Sequence, residues 1–580
     1  PNWNGFGSSE HTLIDDFPMQ TITQIVNDAS QLVIKVVMND DHSSEYLKID
    51  DVYVGECMEY ISANTSQNEA KIAPGRNNQY IIGISIETSG SVNPLYVTEF
   101  ELNANGSTVP VSDNIENARI FYTDTIASFA VSDQFGTTVF EPTVSNFTIA
   151  GNQELLEGTN HFWLTFDTKE EADIGELVDA ECISLTVGGS SKTPTQTAPS
   201  GARAIANPLV GEYTIGVKSD YASFSAAASD LNNLGISGTT SFTVASGTYT
   251  EQVCLSDIDG TSTSDTILFH SSSSNADDVI VQETPTNSDN YVWKLEGTDY
   301  LTINNITIQT TGSPDVGRVL VFEGESVQIR IESCKLLGED VDDDDEDFAV
   351  VYGEFGMDHT CDSVTFCWDT ISNGSYGIYW SGAYGDYLEN DNRFSHNQFS
   401  NYYQAGIFIE LQNNACIEKN YLEGKGEQME EYGIMVDDCF NSTEVVGNQI
   451  YLTGDDSNYG IFLSECIGSE DSTGLVADNS ISMQVGGWTT VGIEIMHCGY
   501  QDIINNSIHV YDGSKPGFRT MEQTGFNLLY YWTGDDYGDI FLLNNISSGP
   551  VKSINVSQTA VDNEYLVSSN YNNWYTTGSI

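Results

Sequence analysis

Nine times between residues 304 and 544 the chain repeats one short phrase: a polar residue, usually Asn, followed two positions later by an apolar one. It falls at Asn304/Ile306, Cys334/Leu336, Asp369/Ile371, Asn397/Phe399, Asn420/Leu422, Asn448/Ile450, Asn479/Ile481, Asn506/Ile508 and Asn544/Ile546, with gaps of 30, 35, 28, 23, 28, 31, 27 and 38 residues. A second phrase, Gly then an apolar residue, keeps step at Gly377-Ile378, Gly406-Ile407, Gly433-Ile434, Gly460-Ile461, Gly492-Ile493 and Gly525-Phe526. Irregular repeats of this period, built on short β-rich phrases, predict a solenoid whose coils share one continuous core. Alternation such as Ile407-Phe408-Ile409 fits strands that face a narrow interior. Asn at a fixed turn tolerates left-handed backbone and can hydrogen-bond its equivalents in the coils above and below. The Asn column therefore reads as scaffold, and function is expected in what the coils vary.

At 580 residues the chain is too long for one ordinary domain. Its 85 Asp and Glu against 19 Lys and Arg give a net charge of −66. That field repels nucleic acid and anionic membrane surfaces, and it suits a protein that collects cations or works in salt. The 39% apolar fraction argues against disorder, while abundant Gly, Ser, Thr, Asn and Tyr point to an all-β fold. No apolar run is long enough to span a membrane. The chain starts at Pro1 and its last residues read like an uncapped coil, so a segment of a longer polypeptide is expected.

Four regions follow in order. Residues 1–62 contain strand-like runs at 31–38 and 46–54, the second of which ("IDDVYV") resembles the closing strand of jelly-roll modules in secreted adhesins. Residues 78–190 carry six strand-like runs, at 80–87, 95–102, 118–122, 146–150, 161–168 and 182–187. There "NPLYVTEFELNANGST", "ARIFYTDT" and "LLEGTNHFWLTFDTKEEADIGELVDAECISLTVGG" resemble the small β-sandwich that precedes the catalytic domain of BNR-type sialidases. That module is accessory and recurs in large secreted proteins of the Bacteroidetes type, so it implies no sialidase activity. Residues 191–212 read as a linker. From 213 to 580, a helical pattern at 221–234 stopped by Gly235 is followed by "VASGTYTEQV" and the repeated coils. This entry resembles the right-handed parallel β-helices of the pectin-lyase-like superfamily. The expected fold class is thus all-β: a right-handed parallel β-helix behind N-terminal β-sandwich modules.

Candidate chemistry lies off the repeat. Glu339, Asp340, Asp342, Asp343, Asp344 and Asp345 form the densest acidic cluster, in the insertion between the coils at Cys334 and Asp369. Two readings stand: a solvated loop, or a Ca²⁺ site built from oxygen ligands. The turns at Asp455-Asp456 and Asp535-Asp536 make a weaker cation case. Tyr379, Trp380, Tyr402 and Tyr403 are the aromatics expected to face outward and contact a glycan, within a wider set that includes Tyr376, Tyr384, Tyr387 and residues 530–532. Asp437-Asp438 faintly resembles the Asp pair of polygalacturonases, but the accompanying motifs are missing. His359, His396 and His497 stand singly and read as surface or turn residues. Cys439, Cys466 and Cys498 each follow their repeat glycine by six residues, which predicts a stack: either small buried residues or a disulfide between neighbouring coils.

The first functional reading is a non-catalytic, adhesin-like extracellular or cell-surface protein. It would be a segment of a larger secreted polypeptide, with glycans or other surface proteins as partners, and the resemblance to modules of Bacteroidetes-type secreted proteins implies export by the type IX route. The alternative is a polysaccharide lyase or glycoside hydrolase acting on acidic glycans. A subunit of an extracellular filament is the third reading.

Overall fold

The computed structural model describes residues 56–576 apart from 313–314, 355, 357–359, 384–387, 427–429, 455–456, 485–488, 512–521, 530–539, 544, 550–551, 557–565 and 571. The strand runs expected at 31–38 and 46–54 lie outside the described residues, as do His359, Tyr384, Tyr387, Asp455, Asp456, Asp535, Asp536 and residues 530–532. The chain divides into two compact units at Ile205/Ala206.

The first unit is an antiparallel β-sandwich, with a five-stranded sheet against a four-stranded one among the described residues. Its core is mainly aliphatic around a small aromatic centre, with Phe100 and Phe162 ring centroids 5.1 Å apart and both fully buried. All six expected strands form. The unit is larger than expected at both ends. Strand Glu59–Gln67 pairs with Gln79–Ser89, and the expected linker is stitched to the sandwich rather than free. Ser190–Lys192 pairs with Glu181–Val187, and Arg203–Ala204 with Leu177–Val178. Arg203 is 1% exposed and donates to the carbonyls of Ala70 (2.7 Å), Lys71 (2.8 Å) and Tyr80 (2.9 Å). A composition rich in Ser, Thr and Pro conceals this, because one buried guanidinium does the fastening.

The second unit is a parallel β-solenoid that begins with Leu209–Ile215. Helix Phe224–Leu234 sits at its entry, N-capped by the Ser223 side chain and ended at Gly235, whose φ is +67°. Among the described residues, three parallel sheets of 13, 12 and 11 strands run along it. Each coil gives one strand to each sheet. In the first sheet the inward column reads Phe242, Phe269, Ile303, Ile331, Phe366, Phe394, Ile417, Val445, Val476, Ile503, Leu542. All are buried, and each such side chain contributes about 1.5–3 kcal/mol. The repeat glycine precedes the third-sheet inward residue. A Cβ at Gly433 would stand 2.5 Å from the Gly460 carbonyl oxygen and 2.6 Å from Ile450, so close coil-to-coil approach demands glycine there.

The Asn column occupies the bend between first and second sheets. The backbone N–H groups of Asn420, Asn448, Asn479 and Asn506 donate to the next column residue's Oδ1 at 2.9–3.1 Å. Each side-chain amide donates to a carbonyl of the preceding coil, as Asn448 does to Ile417 at 2.9 Å. The left-handed backbone belongs to the residue before each Asn, as at His396 (φ 58°), Lys419 (54°) and Asn505 (58°). Two repeat assignments shift. Leu336 pairs with Ile308, so Ile306 and not Asn304 precedes Cys334 in the column. At the far end Asn545 continues the column to Asn572, and Ser547 rather than Ile546 points inward, with Ile546 50% exposed. In both places neighbouring Asn and Ile residues offer two overlapping matches to the same pattern.

Candidate functional site: the outer face of the third sheet

Ring contacts bring two parallel rows together on the outer face of the third sheet, three residues apart and so with the simple alternation broken at the repeat glycine. One row, in register, is Tyr352, Tyr379, Phe408, Met435, Phe462 and Glu494. Beside it, across the repeat glycine, runs Tyr376, Ala405, Tyr432, Tyr459 and Val491. Rings stack at coil spacing: Tyr352 on Tyr379 (5.5 Å, 11°) and Tyr432 on Tyr459 (4.9 Å, 10°). Phe462 meets Tyr459 edge-on at 5.7 Å. The Arg318 guanidinium covers the Tyr352 ring at 3.3 Å, which closes that end of the ladder. Stacked rings consume one another's faces: Tyr352, Phe408 and Tyr432 are buried, at 8–9% exposure, while Tyr376, Tyr379, Met435, Tyr459 and Phe462 are half-buried and keep part of their surface outward.

A carboxylate strip follows the ladder. Glu354, Ser381, Glu410, Asp437 and Ser464 occupy one outer row in register. The Tyr352 hydroxyl donates to Glu354, Tyr432 to Glu430 at 3.2 Å, and Ser381 to Glu410 at 2.7 Å. Burial pushes Asp437 up to about 6, with the Ser464 hydroxyl opposing and Asp438 adding. Asp437 and Glu410 are register partners one coil apart, a spacing of about 4.8 Å.

Of the aromatics expected to meet a glycan, Tyr379 is half-buried on this face and Tyr403 lies against the acidic loop, near Asp342, Asp343 and Asp344. Trp380 and Tyr402 are corrections: they are 0% and 1% exposed. Trp380 follows outward Tyr379 and so points inward, edge-on to Phe322 at 4.9 Å. Dense Tyr and Trp in one strand cannot all face out, since successive side chains alternate.

The acidic loop folds back onto the solenoid. Lys425 Nζ, 12% exposed, lies 2.7 Å from Asp340 Oδ1 and 2.5 Å from Asp342 Oδ1, and it donates to the Val341 carbonyl at 3.1 Å. The Lys425 hydrogen bond to Asp340 holds that carboxyl below its usual range. Asp343 accepts from the Asp345 N–H (3.1 Å) and Asp345 from the Asp347 N–H (3.0 Å). Glu339 stands apart, half-buried, and its backbone carbonyl accepts from Gly374 at 2.8 Å. Asp344 is exposed beside Tyr376. Among the described residues no three His, Cys, Asp or Glu side chains converge as a metal cage.

Among the described residues three carboxyls lie inside the solenoid, none of them evident as such in the sequence. Asp369 takes an Asn position in the column and accepts from the Cys334 N–H at 2.7 Å. Glu389 accepts from the Cys361 N–H at 2.5 Å, and Glu431 from the Gly426 N–H at 3.0 Å. Each retains one buried oxygen with no hydrogen-bond partner, as does the Tyr402 hydroxyl. Burial raises all three: Asp369 well above the carboxylate range, Glu389 to about 9 and Glu431 to about 7. Cys439, Cys466 and Cys498 form the expected stack and are buried free thiols. A further surface aromatic escaped sequence reading: Trp368 is 59% exposed, stacked on His396 at 4.2 Å. Its signal was its place in the turn column, at a φ of +63° that bulky residues avoid.

The fold defines the class: a parallel β-solenoid with an N-terminal antiparallel sandwich. Residues 60–191 match the N-terminal domain of BNR-repeat neuraminidase, and residues 319–512 match the periplasmic copper-binding protein NosD. No curated protein matches the chain. Similar solved structures include the Hadza microbial sialidase Hz136 (11% identity, TM-score 0.19, 24% of this chain and 31% of that one). The lacto-N-biosidase of Eubacterium ramulus (11%, 0.38, 63% and 67%) and the A-module of the Azotobacter vinelandii mannuronan C-5 epimerase AlgE6 (11%, 0.34, 61% and 92%) also match. At such identities and scores no activity transfers. The chain spans about a third of the sialidase. In the cysteine column the three thiols donate to the carbonyls of Asp437, Ser464 and Met496 at 3.2–3.3 Å, and the Cys466 side chain also hydrogen-bonds those of Cys439 and Cys498. No helix among the described residues is long and apolar enough to cross a membrane.

Proposed function

We propose that the chain is a glycan-binding, adhesin-like segment of an extracellular protein, with the outer face of the third sheet as its contact surface. The observation that carries this reading is the ladder from Tyr352 to Phe462, flanked by the Glu354–Asp437 strip. Half-buried ring edges at Tyr379, Tyr459 and Phe462 offer an apolar track, and the carboxylates accept hydrogen bonds from sugar hydroxyls along the same line. The strip and the chain's negative field favour neutral over acidic glycans. The solenoid acts as a stiff support whose site recurs from coil to coil, so affinity grows with glycan length. Lys425 serves as counter-ion to the acidic loop, and any Ca²⁺ bound there has to compete with it.

A second reading rests on one pair. Asp437, raised to about 6, and Glu410 are register partners one coil apart on the same face, and a retaining glycosidase pairs a raised carboxyl acid with a second carboxylate beside it. Affinity electrophoresis of the full chain in gels containing neutral or acidic polysaccharides, run beside a reducing-sugar assay, separates the two. Retardation by neutral polymers without release of reducing ends supports binding. Release that Asp437→Asn abolishes transfers the chain to the hydrolase reading. No retardation and no release rejects both.

A further inference from the structure

We propose that the N-terminal sandwich holds a separate binding site for a neutral pyranose sugar, in an open cleft of about 430 Å³. The cleft lies on the outer face of the five-stranded sheet. In strand Ile115–Tyr122 the side chains of Ala118, Ile120 and Tyr122 enter the core, so Asn117, Arg119 and Phe121 share the opposite face. On the neighbouring strand Phe162, Leu164 and Phe166 go inward, which turns Asp167 outward beside Arg119.

These residues form a preorganised polar floor. Arg119 Nη1 lies 2.7 Å from both Asp167 carboxylate oxygens and 2.9 Å from Asn78 Oδ1, while its Nε donates to Thr138 at 3.2 Å. Asn117 Nδ2 donates to Asp167 at 2.7 Å, and the Asn78 N–H does so at 2.8 Å. Asp167 is only 2% exposed. Such a network fixes its members before any ligand arrives.

Two observations point to an occupant. Asn117 lines the cleft, and its Oδ1 is buried with no hydrogen-bond partner; a donor hydroxyl would satisfy it. Phe121 lies under the same cleft, and Val131, 59% exposed, stands at its mouth. Convergent planar polar groups beside an apolar wall match a ring that carries hydroxyls on its rim and C–H bonds on its faces. The ligand is neutral because Arg119 is already paired with Asp167, which leaves no spare cation for a carboxylate or phosphate. Asn77 and Gln134 add exposed amides at the rim. This site belongs to the sandwich alone and does not depend on the solenoid reading.

The test is saturation-transfer difference NMR on the full chain with methyl β-galactopyranoside, methyl β-glucopyranoside, methyl α-mannopyranoside, N-acetylglucosamine and N-acetylneuraminic acid. Val131→Glu and Asn77→Ala alter exposed rim positions and leave the melting temperature unchanged. The expected result is transfer to at least one neutral sugar, weakened about tenfold or more by either variant and untouched by Tyr459→Ser on the solenoid. No transfer to any neutral sugar, equal transfer in both rim variants, or selective transfer to N-acetylneuraminic acid would overturn the proposal.

Discussion

The Asn column and the aromatic ladder both place one side chain per coil in a line along the solenoid, yet they do opposite work. The Asn side chains point inward, and every amide along Asn420, Asn448, Asn479 and Asn506 finds a carbonyl behind it and an Asn ahead of it. Nothing is left over to meet a ligand. The ladder lies on the outside of the coil wall, where Tyr379, Tyr459 and Phe462 keep part of their surface open beside a strip of carboxylates, although Tyr352, Phe408 and Tyr432 are covered by their neighbours. Repetition therefore identifies a stack, and the direction and saturation of its polar groups decide whether the stack is scaffold or surface.

The largest expected effect breaks the inward column. Asn448→Leu removes the amide donor to Ile417 and the acceptor used by Asn420, which orphans several buried groups at a cost of about 4 kcal/mol, read as a fall in chemical denaturation midpoint. Asp369→Asn has the opposite sign. It supplies the side-chain N–H that the column lacks there and is expected to stabilise the chain by about 1–2 kcal/mol at pH 8. The pH dependence follows from the direction of the shifts. Asp369, Glu389 and Glu431 have folded-state values above the ordinary carboxyl range, so the native state holds more protons than the unfolded chain. Their favourable protonated state is complete below about pH 4, and stability falls as pH rises, through about 7 for Glu431 and about 9 for Glu389. Melting temperatures across pH 5–9 should decline in the wild type and decline less in Asp369→Asn and Glu389→Gln. A melting temperature that rises across that range contradicts the assignment of buried, protonated carboxyls. The smallest effect is at Lys425→Met, an ion pair at the surface worth about 0–1 kcal/mol. If the acidic loop takes Ca²⁺, this variant should gain more thermal stability from added Ca²⁺ than the wild type does.

Much of the architecture was legible because the physics that sets it is local and repeated. The Gly-apolar phrase marks the place where coil backbones come within a Cβ of each other, and the helix at 224–234 carries its own cap and stop. The sandwich strands were visible by alternation. Features set by a single long-range contact were hidden: Arg203 fastening the apparent linker, and Asn545 rather than its neighbour holding the column. The candidate site was only half legible. Tyr379 is half-buried on the outer face and Tyr403 half-buried beside the acidic loop, but Trp380 and Tyr402 are buried, and composition alone does not separate the two pairs. Trp368 and the sandwich cleft need the fold itself, because their partners lie in other strands.

The central claim is that the outward ladder binds glycan while the inward column only supports it. A glycan array probed with the full chain and with a Tyr432→Ser/Tyr459→Ser double variant tests this most directly, provided both melt within a few degrees of each other. The account predicts that the wild type binds extended neutral glycans and that the variant loses about tenfold or more in affinity. Equal binding by the two proteins would contradict it.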